Sequence, residues 1–184
     1  MQCNTSPGRP SPLGVTVTPE GVNFSIFSFH AASCTLVLFK KWENPDQPFA
    51  EIPFPPEYRI GAVFSMLVEG LNPDEFDYGY RMDGAFEPEA GLRFDKEKIL
   101  LDPYAKAVTG RSIWNQRNEN PPDFPNRGRI IVSDFDWGDD RPLNTPVEDL
   151  VIYEMHVRGF TAHESSGVQN PGTYAGLMEK IPYL

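Results

Sequence analysis

The sequence predicts a mainly β protein: a β-sandwich, then a long connector, then a single strand–loop–helix unit. Three observations carry that prediction. Segments rich in Val, Ile, Phe and Tyr recur up to about residue 108, separated by Gly, Pro and Asn. The 19 prolines among 184 residues are twice the usual share of about 5%, which points to irregular connections and away from a helical bundle. Over Val151–Leu184 a short apolar run leads into a polar loop and then a helical pattern, the signature of one β/α unit.

The elements follow in order. Leu13–Thr18 and Val22–Phe29 read as strands joined by a turn at Pro19-Glu20-Gly21-Val22. In the second, Val22, Phe24 and Ile26 share one face, with Asn23 and Ser25 on the other. Phe27 and Phe29 then place bulk on the opposite parity, so a bulge is expected, or a strand covered on both faces near its end. Thr35–Lys40 follows Cys34, which serves best as a small buried hydrophobe. The proline-studded stretch Asn44–Pro56 reads mostly as loop. Ala62–Val68 and Tyr78–Met82 complete the set, and Tyr78 and Tyr80, two apart, share a core face.

Residues 109–149 have few apolar positions and five prolines at 121, 122, 125, 142 and 146. A structureless run of this length is unusual inside a compact domain, so it reads as a connector, with Arg129–Ser133 as a short strand within it. Val151–Met155 is expected to be a buried strand, followed by a loop carrying His156, Arg158 and Glu164. A helix should begin near Thr173, a suitable cap, with Tyr174, Leu177, Ile181 and Leu184 as its core-facing stripe. Pro182 should kink or restart it.

Composition excludes several functions. With 16 basic against 26 acidic residues the net charge is −10, and no Lys/Arg cluster of the kind that displaces counterions from a duplex is present. Nucleic acid and anionic membrane surfaces are therefore poor partners, whereas neutral ligands such as sugars are indifferent to the charge. Cys3 and Cys34 make no disulfide framework. No apolar run reaches the roughly 18 residues of a membrane span. The N-terminus lacks the pattern of a secretion signal or transit peptide, so a cytoplasmic location is expected, or a plastid if a transit peptide has been lost.

Four fragments carry a family resemblance: GRPSPLGVTVTPEGVNFSIFS, YGYRMDG, RFDKEKILLDPYAKAV and DFDWGDDRPLNTPVEDLVIYEMHVRGFT. In this order they resemble the isoamylase and glycogen-debranching branch of the α-amylase superfamily, whose catalytic barrel is preceded by a family-48 carbohydrate-binding module. The resemblance implies an immunoglobulin-like β-sandwich over 1–108, a connector over 109–149, and over 150–184 the first β/α unit of an incomplete (β/α)8 barrel. It implies an N-terminal part of an enzyme hydrolysing α-1,6-glucosidic branch linkages of glycogen, amylopectin or limit dextrins. A retaining mechanism needs two carboxyl groups about 5–5.5 Å apart. In the superfamily these follow later barrel strands, so no residue of this chain is expected to be catalytic, and no cofactor is implied. The alternatives are a non-catalytic glucan-binding or scaffold module, or part of a branching or trehalose-releasing relative.

Other groupings carry less. Asp134, Asp136, Asp139 and Asp140 do not match an EF-hand loop and read as turn and capping residues. Glu154, His156 and Arg158 would share one side of an extended strand, where they could support a barrel site as an inward polar row. Neither HExxH nor a Cys/His set of suitable spacing exists, so no metal site is expected. His30 is isolated, and His163-Glu164 reads as a solvated loop. Among rings able to stack on a sugar, Trp42 at the end of a strand is the best exposed candidate; Trp114, Trp137 and Tyr104 are others.

Overall fold

Alternation along four long strands builds the core between two antiparallel sheets. The chain is seen in a computed structural model that describes residues 3–41, 47–110, 126–132 and 135–184. It divides into two compact units, Met1–Phe135 and Asp136–Leu184.

In the first unit the strands are β1 (Thr5–Pro7), β2 (Gly14–Thr18), β3 (Gly21–Phe27), β4 (Ser33–Lys40), β5 (Ala50–Pro53), β6 (Arg59–Ile60), β7 (Val63–Glu69), β8 (Phe76–Asp83), β9 (Phe86–Glu87), β10 (Leu92–Arg93), β11 (Ala107–Thr109) and β12 (Arg127–Arg129). One sheet runs β1-β7-β3-β2, with β6 also on β7; the other runs β11-β12-β8-β4-β5, and β9 and β10 form a separate ribbon. The five strands expected up to residue 108 are present, each within a few residues of its predicted ends.

The inner faces supply the core. Val22, Phe24 and Ile26 of β3 and Phe64, Met66 and Val68 of β7 cluster with Cys34, Leu36 and Leu38 of β4 and Tyr78, Tyr80 and Met82 of β8. Each fully buried side chain of this size is worth about 1.5–3 kcal/mol relative to exposure. Burial pushes the Cys34 thiol up, in keeping with a packing role. Phe24, Tyr78 and Tyr80 meet edge to face, with centroids 5.4 and 5.8 Å apart.

The outer faces are covered too. Asn23, Ser25 and Ser65 are buried beneath the N-terminal segment. Arg9 N–H donates to Asn23 Oδ1 at 2.7 Å, and Asn23 Nδ2 donates back to the Arg9 carbonyl at 3.0 Å. Ser25 Oγ donates to the Pro10 carbonyl at 2.9 Å, and Ser65 Oγ to that of Gly8 at 3.2 Å. Gly8 must be glycine, because a Cβ there would collide with Met66 N and Asn23 Oδ1. The parity switch at Phe27 is thus settled: β3 is covered on both faces over Val22–Ile26 and emerges at Phe27, which is half exposed. On the other sheet Val37 and Phe39 pack with Ile99, and Leu100 exchanges both backbone hydrogen bonds with Tyr80, at 2.7 and 2.9 Å.

Two acidic side chains, Asp77 and Asp102, tie the second sheet together. Arg129 makes a two-pronged contact with buried Asp77, Nε–Oδ1 3.0 Å and Nη2–Oδ2 3.3 Å, directly across the β12–β8 ladder. Tyr78 Oη donates to Asp102 Oδ2 at 2.7 Å, and Tyr104 N–H to Asp102 Oδ1 at 2.8 Å. Burial nonetheless holds the Asp102 carboxyl above its ordinary value, against the pull of these donors.

Two expectations are refined in this unit. Within Asn44–Pro56 the structure adds a strand that the proline-rich pattern hid: Ala50–Pro53 pairs with Thr35–Leu38. Phe49 and Ile52 pack on the core, and Pro53 is tolerated because β5 lies at the sheet edge. The short strand foreseen at Arg129–Ser133 sits earlier, at Arg127–Arg129, and Ser133 lies outside the described residues.

In the second unit Val151–Met155 forms no strand. Val151 is 93% exposed and Ile152 85%; among the described residues of this unit the run finds no ladder partner, and a strand needs one to satisfy its backbone. Helices α1 (Val157–Ala162) and α2 (Tyr174–Met178) follow. Thr173 caps α2 as expected, its Oγ1 accepting from Gly176 N–H at 3.1 Å. The helix ends ahead of Pro182, and the foreseen stripe is not buried: Tyr174, Ile181 and Leu184 are exposed. Among the described residues no helix is long and apolar enough to cross a membrane.

Gly8→Ala should destabilise the first unit by about 1–3 kcal/mol through overpacking, read as a lower urea midpoint. Asp102 binds its proton more tightly folded than unfolded, so its contribution to stability falls as pH rises from 3.8 through the folded value. Urea titrations across pH should therefore show the wild-type advantage over Asp102→Asn shrinking with rising pH; a constant difference would contradict this.

Candidate functional site

Among the described residues, a face of the first unit open to a ligand is built where β3 runs out. Phe27 ends the strand, and the connection Ser28–Ala32 crosses to β4. This loop is pinned from several sides. Ser28 N–H donates to the Ala62 carbonyl and Ala32 N–H to that of Asp83, both at 2.8 Å. Arg59 reaches across from β6: its Nη1 donates to the Ala31 carbonyl at 2.9 Å and its Nη2 to that of Phe29 at 3.4 Å. The Arg59 guanidinium is itself seated over the Phe64 ring at 4.6 Å. Ala31 is buried and anchors the loop from below.

The opposite wall comes from the segment after the β9–β10 ribbon. Phe94 lies flat against Gly84, where a Cβ would meet its ring at 2.7 Å. Asp95 then shapes a turn, accepting from Glu97 N–H at 3.1 Å, and Leu100 is fixed by its pairing with Tyr80.

Between these walls is an open groove of about 480 Å³ lined by Phe27, Phe29, His30, Phe94, Lys98 and Leu100 among others. Its volume lies within the roughly 300–1,000 Å³ of small-molecule sites. Phe29 is 69% exposed and stands edge to face with the His30 ring, centroids 4.9 Å apart. Chemically the groove offers apolar ring surface with a few polar groups at its rim and no paired carboxylates poised for acid–base work.

A second, polar depression of about 370 Å³ lies on the outer face of β4 and β8. Its central cation is already engaged. Arg81 contacts Glu51 at 3.2 Å and the carbonyls of Lys96 and Glu97.

The residues singled out from the sequence do not converge. Trp42 and Trp114 lie outside the described residues. Tyr78 and Tyr80 are core, as expected, while Tyr104 and Trp137 are exposed at 45% and 69%. Glu154, His156 and Arg158 are exposed but do not alternate along a strand. His156 is the N-cap of α1, its Nδ1 accepting from Gly159 N–H at 3.0 Å, and Arg158 lies within that helix. The expected row fails because the chain turns into a helix at Val157. His163 similarly accepts from Ser165 N–H at 3.2 Å. Of the acidic cluster, Asp134 lies outside the described residues, and Asp136 accepts from Gly138 N–H at 2.8 Å in a turn. The groove itself was legible only as the parity switch at Phe27 and Phe29; nothing in the pattern marked Arg59 as its anchor.

Comparison with known proteins gives this surface a context. The family model for carbohydrate-binding module 48, the isoamylase N-terminal domain, matches residues 12–105. The chain is 42% identical over 187 residues to chloroplastic isoamylase 1 of Oryza sativa subsp. japonica, covering 99% of this chain and 23% of that protein. It is 35% identical over 189 residues to the glycogen debranching enzyme of Yersinia enterocolitica, covering 96% of this chain and 28% of the relative. It therefore spans about a quarter of the length of these relatives. Among solved structures it shares the fold of a Paenibacillus barengoltzii pullulanase in complex with maltohexaose and α-cyclodextrin. There the TM-score is 0.65 at 23% identity, over 92% of this chain and 23% of that one. The Group B Streptococcus pullulanase SAP in complex with maltotetraose gives 0.63 at 27% identity, over 94% of this chain and 22% of that one.

Arg59→Ala should release the loop that carries Phe29. The charge-assisted hydrogen bond to the Ala31 carbonyl, worth about 1.5–3 kcal/mol, is lost together with the longer contact to that of Phe29. Amide exchange at Ser28 and Ala32 should then accelerate by about tenfold or more; unchanged protection would show that the guanidinium does not hold the loop.

Proposed function

The chain belongs to the carbohydrate-binding module 48 (isoamylase N-terminal domain) family, and from that premise we propose that it is the N-terminal portion of a starch- or glycogen-debranching enzyme. The parent activity on this reading is hydrolysis of α-1,6-glucosidic branch linkages. The observation that carries it is the match to isoamylase 1 over 99% of this chain at 42% identity. Within the chain, 1–108 is the binding module, 109–149 the connector and 150–184 the entry into a catalytic (β/α)8 barrel. The exposed run Val151–Tyr153 and the exposed faces of α2 are then surfaces that further barrel units bury, and Val151–Met155 becomes a strand when a neighbour supplies its ladder. Glu154, His156 and Arg158 would act as supporting polar residues of that barrel.

The chemistry asks for a nucleophile and an acid about 5–5.5 Å apart, and no residue of this chain is assigned either role. The glucan partner is glycogen, amylopectin or a limit dextrin. A plastid or the cytoplasm is the compartment this reading favours, since the rice relative is named chloroplastic.

The test is a chimaera in which this chain replaces the matching quarter of rice isoamylase 1. It should release linear chains from amylopectin, whereas the chain alone should release no reducing ends. A chimaera that folds and binds amylopectin yet opens no branch would contradict the assignment, as would reducing-end release by the chain alone.

A further inference from the structure

We infer that the groove between the Ser28–Ala32 loop and the Phe94–Leu100 segment binds the α-linked glucose chain of a glucan, with the Phe29 ring as its platform. The inference rests on reading the chain as a carbohydrate-binding module and goes beyond it by fixing the site at the Phe29 groove rather than at Trp42.

Four observations converge on it. First, Phe29 is 69% exposed and Phe27 51%, and both line one groove. Two large rings left in water on the same surface are uncommon without a binding role, whereas scattered single hydrophobes are ordinary. Second, the ring is presented on a rigid support. The Ser28 and Ala32 amides and the Phe29 and Ala31 carbonyls are each hydrogen-bonded to β6, β8 or the turn before β7. The edge-to-face contact with His30 further restrains the ring, so little ordering is left for binding to oppose.

Third, the rim suits a neutral polyol. His30, Arg93 and Lys98 offer donors, and Asp95 offers an acceptor. Lys98 Nζ and Asp95 Oδ2 are 3.5 Å apart at the surface, so these two charges largely offset one another. An apolar peptide would leave this polar rim unpaired. A pyranose packs its C–H face on the ring and offers its hydroxyls to the rim. Fourth, the volume of about 480 Å³ suits a ligand of a few glucose units, and every lining residue falls within the stretch 12–105 matched as carbohydrate-binding. The polar depression around Arg81 fits less well, because the donors of Arg81 are already spent on Glu51 and two carbonyls.

The experiment is calorimetric titration of the full 184-residue chain with maltoheptaose, run on wild type, Phe29→Ala, Phe29→Trp and Trp42→Ala. Wild type should bind saturably. Phe29→Ala should bind about tenfold or more weakly, as expected for a central aromatic contact, and Phe29→Trp should retain binding. Trp42→Ala should stay within about twofold of wild type. Because Phe29 is largely exposed, the melting temperature of Phe29→Ala should match wild type, which separates lost binding from lost fold. If Phe29→Ala binds as tightly as wild type while Trp42→Ala does not bind, the groove assignment is overturned and the module reading stands. If wild type itself shows no saturable binding, the module reading fails with it.

Discussion

The constraint on which the first unit depends is that its central strands are covered on both faces. A sandwich strand ordinarily buries one face and wets the other. Here β3 and β7 carry Asn23, Ser25 and Ser65 on the outer face, all buried. Each would cost about 1–3 kcal/mol if left without a partner, so the chain before β2 must lie across them and supply carbonyls and an amide. Gly8 allows that approach because it has no Cβ to meet Met66 and Asn23. On the second sheet Val37 and Phe39 need an apolar cover, which Ile99 provides, with the Arg127 guanidinium 4.2 Å from the Phe39 ring centroid.

These covers also decide where the surface features fall. Once Leu100 is paired to Tyr80 and Phe94 is seated on Gly84, the segment between them forms a wall beside the end of β3. The β3–β4 loop has to pass that wall, held by Arg59. The groove is thus a by-product of covering the second sheet.

Much of the first unit was legible in the sequence because its signals are local. Val22, Phe24 and Ile26 alternate, and Gly, Pro and Asn punctuate the strands. The edge strand Ala50–Pro53 was obscured by its prolines; it forms because β4 offers a ladder and the core accepts Ile52, information that resides in other parts of the chain. Val151–Met155 failed in the opposite sense. Its composition is that of a buried strand, but a strand is a relation between segments, and no ladder partner is present within its unit among the described residues. His156 was placed by strand periodicity, whereas an imidazole accepting from an amide three residues on makes it a helix cap. The role of Phe29 was readable only as a break in parity. Its support, Arg59, lies 30 residues away and emerges only from the fold.

The most direct test of double coverage is native-state hydrogen exchange resolved by residue. Gly8 N–H, donated to the Ser65 carbonyl, and Leu100 N–H, donated to that of Tyr80, lie in segments that read locally as loops. If the covers are integral to the sandwich, both amides should exchange as slowly as those of β3, β4, β7 and β8, and open only with them. Exchange of Gly8 and Leu100 at the rate of exposed loops, with the central strands still protected, would show that the outer faces do not need their covers.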